Sequence, residues 1–281
     1  MGELVSIIVP AYQEEKRIER CLQSIVASSY CNLELIVVND GSTDNTEGVI
    51  KDFKKKNESK SISINVVTTS NGGAARARNQ GLHLAKGDYL GFVDADDIIH
   101  PQMIEKLVTS MRKGNDLSIC GSLFCNEYGK PKVRQNKIRG QRKQCPRQAL
   151  ATVMWEQTQM SLCTMLFRRK VIFDMGEKPA LLCPEDVVAF EDFIFICEYI
   201  SRCNGFMEIL PFYGYFYCKH NGSSTSKEHN IKELCYALQS ILDIGERIDD
   251  TGFTAHKIQY AFLIMEFWYK EALKRNRGDF N

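Results

Sequence analysis

The chain has 281 residues, of which 44% are hydrophobic and 25% charged, as in ordinary soluble globular proteins. Its 36 basic residues nearly balance 35 acidic ones, and a net charge of +1 gives no reason to expect nucleic acid as a partner. Eleven cysteines occur, an odd number without a Cys-x-x-Cys pair. This favours reduced, buried thiols in a cytosolic protein over a zinc site or a disulfide framework.

The apolar runs are too short to form a helix that spans a membrane. No run of about 18 uncharged apolar residues is present, so we expect no segment to cross a bilayer. The first apolar run, 5–9, is short for a secretory signal and ends at Pro10. We therefore predict a cytoplasmic protein, with peripheral contact at the inner face of the membrane as an option.

Strand-like and helix-like stretches alternate over the first hundred residues. Apolar runs at 5–10, 33–38, 62–68 and 89–93 predict strands. An amphipathic stretch follows each of the first three runs, with apolar residues at helical spacing. This alternation predicts a parallel sheet with right-handed crossovers.

Polar residues occur where each predicted strand ends. They are Tyr12 and Glu14 after the first, Asp40 after the second, 71–73 after the third, and 94–97 after the fourth. In parallel sheets, ligands bind at the carboxyl ends of the strands, so one functional edge explains all four groups. Neither a Gly-x-Gly-x-x-Gly sequence after the first strand nor a P-loop sequence is present, which argues against a dinucleotide oxidoreductase and excludes a P-loop NTPase.

The fourth strand ends at three carboxylates, Asp94, Asp96 and Asp97. Carboxylate oxygens suit Mg²⁺ or Mn²⁺, which such groups commonly bridge to substrate phosphates. The alternative is an acidic turn in which Asp97 caps a helix over 101–111.

Four stretches, in this order and spacing, resemble the inverting, nucleotide-sugar-dependent glycosyltransferases of family 2. They are SIIVPAYQEE at 6–15, VNDGSTD at 38–44, ARNQG at 77–81 and GDYLGFVDADD at 87–97. The resemblance implies an α/β fold of the GT-A type, a Rossmann-like, mostly parallel sheet flanked by helices. The C-terminal part is expected to be a helical extension.

The resemblance also implies a set of site residues. The residues implied to bind the donor are Pro10, Ala11, Tyr12, Glu14, Asp40, Arg78, Asp94, Ala95 and Lys219. Asp40 would contact the base and Asp94 the ribose and metal side. Asp96 would bind the Mn²⁺ or Mg²⁺ that bridges the diphosphate of what is most often a UDP-sugar. We take Asp94 and His220 as further candidate metal ligands.

Two local alternatives stay open at these positions. Tyr12 offers an aromatic face to a base, although tyrosines also pack in protein cores. Asp40 can accept hydrogen bonds from a base or ribose, although it could instead brace its own turn. Arg78 lies near a predicted helix start, where the helix dipole also favours anions.

A basic segment, 130–147, contains no acidic residue. Such a run is usually a solvated loop. The functional interpretation is a basic flap that touches the diphosphate, an anionic acceptor or a membrane surface. Nucleic acid is disfavoured because interleaved aromatic residues are missing.

Glu191 and Asp192 open an apolar helix predicted to run to about residue 201. They resemble the Glu-Asp pair of the family, which implies that Asp192 is the catalytic base and Glu191 a contact to donor or acceptor. The alternative is acidic charge that stabilises a helix N-terminus. Glu185 and Asp186 lie close enough in the sequence to compete for the role.

An aromatic, strand-like run at 212–219 follows. Relatives often carry an arginine after the aromatic pair, whereas this chain has Cys218 and Lys219, so Lys219 could replace the usual cation. His220 could reach the metal or diphosphate, or could be an ordinary loop histidine.

We predict a glycosyltransferase domain over 1–226, with a nucleotide-sugar half at 1–100 and an acceptor and catalytic half at 101–226. Amphipathic helices at 231–248 and 254–274 would form a C-terminal unit over 227–281. They could pack on the domain, form a homodimer face or lie at a membrane surface.

The predicted activity is metal-dependent transfer of a hexosyl or N-acetylhexosaminyl group, with inversion. The acceptor would be a hydroxyl of a glycan, a lipid-linked glycan or a glycoprotein. A metal-dependent nucleotidyltransferase and a non-catalytic nucleotide-sugar-binding module are the alternatives.

Overall fold

The structure is a computed structural model. It describes residues 2–59, 61–126, 131–134 (backbone only), 142–146, 148, 149, 152, 161–174, 176–186 and 191–220. The predicted C-terminal helices and half of the basic segment 130–147 lie outside the described residues.

The first half is a parallel sheet in the strand order β3-β2-β1-β4. Its strands are β1 Val5–Ala11, β2 Leu33–Asn39, β3 Ile62–Thr68 and β4 Tyr89–Phe92. The helices between them are α1 Ile18–Val26, α2 Thr46–Asn57 and α3 Ala74–Leu84. Ala11 pairs with Asn39, and Asn39 pairs with Thr68. The carboxyl ends of these three strands are therefore level, which brings their following loops to one edge.

The second half makes the sheet mixed. It contains β5 Ile98–Ile99, β6 Leu117–Cys125, β7 Pro131–Arg134, β8 Arg142–Gln144, β9 Met165–Arg168 and β10 Met207–Cys218. Its helices are α4 Met103–Met111, α5 Arg169–Phe173 and α6 Glu191–Arg202, with a 3₁₀ turn at Leu162–Thr164. The order continues from β4 through β9, β6 and β10 to β5.

Strand β9 causes the change of direction, because it runs antiparallel to both β4 and β6. Strand β10 then runs parallel to β6, while β7 and β8 pair antiparallel at β6 and β10. The predicted fold class, a Rossmann-like α/β sheet flanked by helices, is confirmed.

Aromatic packing fixes α6 against the sheet. Phe167 of β9 makes edge-to-face contacts with Phe92 of β4 and with Phe195 and Tyr199 of α6, at centroid distances of 5.9, 5.6 and 4.9 Å. Such pairs contribute roughly 0.5–1.5 kcal/mol each beyond the area they bury. The start of α6, with Glu191 and Asp192, is thereby held close to the end of β4.

Helix α3 packs closely on β1 at Gly81. A Cβ atom there would lie 2.3 Å from Cγ2 of Ile8, so a larger residue would push the helix off the strand. This close approach matters for the site because α3 also carries Arg78.

The ten cysteines within the described residues form no disulfide. Most are buried, and burial raises the pKa of Cys120, for example, to about 12. These thiols act as small apolar groups in the core, as their scattered positions predict. No helix in the described part of the chain is both long and apolar enough to cross a membrane.

Candidate functional site

The loops after β1 and β2 are tied together by Gln13. Its side-chain oxygen accepts hydrogen bonds from the backbone N–H groups of Thr43 (2.9 Å) and Asp44 (3.1 Å). The backbone N–H of Gln13 donates to Oγ of Ser42 (3.0 Å). These bonds hold Gln13 at a φ of 57°, which few non-glycine residues adopt. A fixed pair of loops therefore forms this part of the sheet edge.

The predicted nucleotide residues of the first strand lie at this edge. Pro10 and Ala11 end β1, and Ala11 is buried. Tyr12 follows and is 48% exposed, unusual for so large a ring, so the core alternative does not apply. Its ring is accessible to a base.

Asp40 is buried and its carboxylate organises the loop after β3. One oxygen accepts a hydrogen bond from the N–H of Gly72 (2.9 Å) and the other from that of Gly73 (2.8 Å). Gly41 has a φ of 69°, and a Cβ there would lie 2.6 Å from the backbone nitrogen of Asn71. Asp40 thus braces the junction of two loops, and its contact to a base stays a prediction.

Arg78 lies at the centre of a buried charge cluster. Its side chain from α3 meets Asp94 (3.1 Å) after β4, and Glu191 (3.1 Å) and Asp192 (2.9 Å) at the start of α6. Arg78 is only 5% exposed. The structure therefore brings together the predicted donor residues Arg78 and Asp94 with the predicted catalytic pair.

Burial and the charge of Arg78 shift the pKa of Asp192 in opposite directions. Burial raises the pKa of Asp192 to about 7, Arg78 opposes that rise, and Glu191 and Asp94 add to it. Burial alone would lower the pKa of Arg78, but Asp192 and Asp94 outweigh it and keep that pKa well above its ordinary value. The permanently charged Arg78 therefore faces three acids, of which Asp192 can take up a proton near neutral pH.

Asn79, the residue after Arg78, holds the segment before α6 in place. The Asn79 side chain exchanges two hydrogen bonds of 2.8 Å with the backbone of Cys183 and donates another, of 2.9 Å, to Glu185. Glu185, one of the two acids that compete with Asp192 in the sequence, is thus bound to Asn79 and not to Arg78.

The three carboxylates after β4 point to three different partners. Asp94 contacts Arg78, as above. Oδ2 of Asp96 is hydrogen-bonded to Nε2 of His220, at 2.8 Å. Asp97 accepts from the hydroxyl of Tyr215 (2.6 Å). It does not cap the following helix, whose N-terminal residue is preceded by Gln102.

Among the described residues, Glu14, Asp96 and His220 form a group that could bind a metal ion, with ligand atoms within 4.8 Å of one another. Two carboxylates and an imidazole are a reasonable donor set for Mn²⁺. Burial, with the charge of Asp94, raises the pKa of Asp96, while the His220 contact opposes the rise. The residues present therefore fit the implied cation.

This group differs in one member from the predicted metal set. Glu14, which the resemblance placed on the donor, lies with Asp96 and His220, whereas Asp94 directs an oxygen to Arg78. Sequence spacing could not show this, because Glu14 and Asp96 lie on loops after different strands. The role of Asp94 as a ligand stays a prediction.

Two further predicted donor residues lie nearby. Ala95 is buried between Asp94 and Asp96. Lys219 follows β10, and its Nζ lies 4.2 Å from the ring centroid of Phe124. Its contact with a donor stays a prediction.

The geometry places an acid cluster, a metal-type group and an exposed aromatic ring at one sheet edge, and comparison with known proteins decides the family. Residues 6–175, more than half of the chain, match the family model described as glycosyl transferase family 2. The chain belongs to glycosyl transferase family 2. The recognition made from the four motifs is thereby confirmed.

One curated relative in this family is the uncharacterized glycosyltransferase EpsJ of Bacillus subtilis (strain 168), which is 36% identical over 144 residues. The match covers 49% of this chain and 40% of EpsJ. This family 2 chain thus spans about two fifths of the length of that relative.

Solved structures share the fold. TarS residues 1–349 of S. aureus, in complex with UDP-GlcNAc, align with a TM-score of 0.72 at 22% identity, covering 92% of this chain and 70% of that one. The mannosyltransferase PcManGT of Pyrobaculum calidifontis, in complex with GDP-Man and Mn²⁺, aligns with a TM-score of 0.63 at 20% identity, covering 94% and 70%. At these identities the likeness establishes the GT-A fold of this family 2 member.

Proposed function

We propose that this protein transfers a sugar from a nucleoside-diphosphate sugar to an acceptor hydroxyl, with inversion at the anomeric carbon. The observation that carries the proposal is the position of Asp192. It lies in the Arg78 cluster, joined through Asp94 and the short turn 94–96 to the group of Glu14, Asp96 and His220. A base and a diphosphate-binding group at one sheet edge are what such a displacement needs.

The proposed base is Asp192. Its carboxylate would take the proton of the acceptor hydroxyl while that oxygen bonds to the anomeric carbon and the bond from that carbon to the donor diphosphate breaks. A single attack from the face opposite the leaving group inverts the carbon. A quarter of the Asp192 side chain remains exposed, so an acceptor can reach it. A positioned base of this kind contributes roughly 10²–10⁴-fold to the rate.

Arg78 would hold the base in place. Its Nη1 lies within hydrogen-bonding distance of both Glu191 and Asp192, and its Nη2 reaches Asp94. A guanidinium offers donors in a rigid planar arrangement, which suits several carboxylates at once. With these contacts made, the predicted direct contact of Arg78 to the nucleotide is the weaker of its two proposed roles.

Glu14, Asp96 and His220 would hold Mn²⁺ or Mg²⁺, which when bound supplies positive charge against the diphosphate of the donor. Tyr12 would lie on the base, and Pro10, Ala11 and Asp40 would complete the pocket around it. We favour UDP as the nucleotide because the TarS structure with the same fold contains UDP-GlcNAc. We propose a hexosyl or N-acetylhexosaminyl group as the sugar, of which the UDP-GlcNAc in that structure is an example.

We extend the proposal to an acceptor that is a glycan, a lipid-linked glycan or a glycoprotein, in the cytoplasm or at the inner face of the membrane. The support is the family resemblance and the basic segment 130–147, whose charge suits an anionic acceptor or surface.

The test is to incubate the protein with UDP-GlcNAc, UDP-glucose and GDP-mannose, with Mn²⁺ or EDTA, and to identify the released phosphate species by chromatography. Water can act as a slow acceptor, so turnover is detectable without the natural one. Release of a nucleoside diphosphate that EDTA stops is the expected result. A parallel incubation with UTP and glucose 1-phosphate tests the nucleotidyltransferase alternative, which would release pyrophosphate there. Binding of a nucleotide sugar without turnover would indicate a binding module; either result overturns the proposal.

A further inference from the structure

Asp97 joins two parts of the chain that each supply a residue to the metal-type group. It is only 1% exposed. One of its carboxylate oxygens accepts from the hydroxyl of Tyr215 (2.6 Å) and the other from the N–H of Cys218 (2.7 Å), both near the end of β10. The proposed mechanism assigns no chemical step to Asp97.

Tyr215 completes the link from the other side. Its ring is fully buried, and its oxygen also accepts a hydrogen bond from the N–H of Asp94 (3.3 Å). The N–H of Asp97 in turn donates to the carbonyl of Asp94 (3.1 Å), which closes the turn 94–97. The acidic turn and the end of β10 are therefore joined by a continuous set of hydrogen bonds.

These bonds lie next to the contact that matters for a cation. Asp96 is one residue before Asp97 in the turn, and His220 is two residues beyond Cys218. Their ligand atoms, Oδ2 and Nε2, are 2.8 Å apart. Any slip of the end of β10 relative to the turn would change this separation.

The register of β10 shows how its end meets the acidic turn. Its pairing with β6 is interrupted between Ile209 and Tyr213 and again between Tyr213 and Tyr215, and is regular from Tyr215 to Cys218. Tyr215 and Phe216 also pair with β5, the strand that follows Asp97. The side chain of Asp97 adds a contact at Cys218 to this backbone pairing.

We propose that Asp97 and Tyr215 are positioning residues that set the geometry between Asp96 and His220 and thereby the affinity of the site for a divalent cation. This inference rests on the proposed function, since it takes Glu14, Asp96 and His220 as the cation ligands. Groups that orient metal ligands without touching the metal typically affect its affinity about 10- to 100-fold.

The purely structural alternative is a buried polar pair that only stabilises the fold. The chain offers a matched control for it in Tyr199. That tyrosine is also fully buried, and its hydroxyl accepts from the N–H of Arg168 (2.8 Å) and donates to the carbonyl of Asp116. Tyr199→Phe removes the same group as Tyr215→Phe, but away from the acidic turn.

The experiment measures Mn²⁺ binding to the whole chain by the electron paramagnetic resonance signal of free Mn²⁺, with and without UDP, and needs no turnover. We expect Tyr215→Phe to bind Mn²⁺ about 10- to 100-fold more weakly and Tyr199→Phe to bind it as the wild type does. Thermal denaturation of both variants records the structural loss separately. Asp97→Asn, which keeps the shape of the side chain but loses an acceptor, should weaken binding in the same direction.

The outcomes separate this inference from the proposed function. If the wild type binds Mn²⁺ and Tyr215→Phe binds it equally well, the positioning role is wrong and the proposed function stands. If the wild type binds no Mn²⁺ even with UDP, both fall. Should Tyr215→Phe fail to fold, Asp97→Asn decides by the same measurement, and equal loss in Tyr199→Phe would count against the positioning role.

Discussion

Nη1 of Arg78 lies 2.9 Å from Oδ1 of Asp192, although the two residues are 114 positions apart in the chain. The contact joins the helix that follows the third strand to the helix that carries the proposed base. The same nitrogen is 3.1 Å from Glu191, so a single cation serves both members of the acidic pair. The pKa of Asp192 therefore depends on a residue from the parallel half of the sheet.

Replacing Asp192 with asparagine should remove the base without removing a hydrogen-bond acceptor for Arg78. We expect kcat to fall by roughly 10²–10⁴-fold, with donor binding by calorimetry nearly unchanged. Glu198→Gln, on the same helix but paired with Arg202, is the matched control and should retain activity. Near-wild-type turnover in Asp192→Asn would exclude it as the base.

The pH dependence of the reaction should report the ionisation of Asp192. A general base works only when unprotonated, and burial raises the pKa of Asp192 to about 7. We therefore expect kcat/KM to rise about tenfold per pH unit below that value and to level off above it. The charged or titratable groups that interact with Asp192 among the described residues are Arg78 from α3, Glu191 from α6, Asp94 after β4, Cys163 of the 3₁₀ turn, Cys183 before α6 and Tyr217 of β10.

The check is a kcat/KM profile from pH 5.5 to 8.5 at saturating Mn²⁺ for wild type and Asp192→Glu. The longer side chain changes the position of the carboxyl relative to Arg78, so the inflection should move. A profile with no inflection in this range, or one that falls as the pH rises, would contradict the assignment.

Loss of the Arg78 charge should destabilise the fold. Arg78→Met keeps the apolar stem but leaves three carboxylates without their cation, and removing one partner of a buried ion pair costs about 3–5 kcal/mol. We expect the lower end, since Asp94, Glu191 and Asp192 keep about a fifth to a quarter of their side-chain exposure. Urea unfolding measures the change.

Arg112→Met is the matched control for that measurement. Arg112 is paired with Glu3 at 2.8 Å, and their side chains are 48% and 35% exposed. Exposed pairs contribute little to stability, so this variant should unfold at nearly the wild-type urea concentration. Equal losses in the two variants would show that the Arg78 cluster is not a buried charge site.

Much of the parallel half could be predicted from the sequence, because apolar runs and amphipathic stretches alternate there without interruption. Polar residues after each run also indicate the sheet edge that carries the candidate site. The arrangement of the second half is less predictable from the sequence. The apolar run 161–167 indicates a sheet element, but nothing in it shows that β9 lies antiparallel between β4 and β6.

The candidate site is also predictable from the sequence only in part. The resemblance implies that Asp96 binds the metal, the loop position of His220 makes it a candidate ligand, and the structure places the two side chains in contact. The link between Asp97 and Tyr215 was missed because the two residues are 118 positions apart and Asp97 also suits a helix cap. Glu14 was assigned to the donor, since loop residues after different strands carry no sequence signal of their distance from one another.

Gly81→Ala should disturb the site through packing alone. The added Cβ would lie 2.3 Å from Ile8, and forcing extra atoms into a tight core costs about 1–3 kcal/mol. Because α3 also carries Arg78, we expect kcat to fall along with stability. His83→Ala, at an exposed position of the same helix, should change neither by a measurable amount.

His220→Ala should weaken cation binding by removing a ligand. The loss should be at least as large as the 10- to 100-fold typical of groups that only orient ligands. Activity in EDTA should be absent for both proteins and return at a higher Mn²⁺ concentration for the variant. His83→Ala again serves as the control, since it removes an imidazole away from the acidic turn. If His220→Ala and the wild type recover at the same Mn²⁺ concentration, His220 is not a ligand, and its 2.8 Å contact with Asp96 is only a structural hydrogen bond.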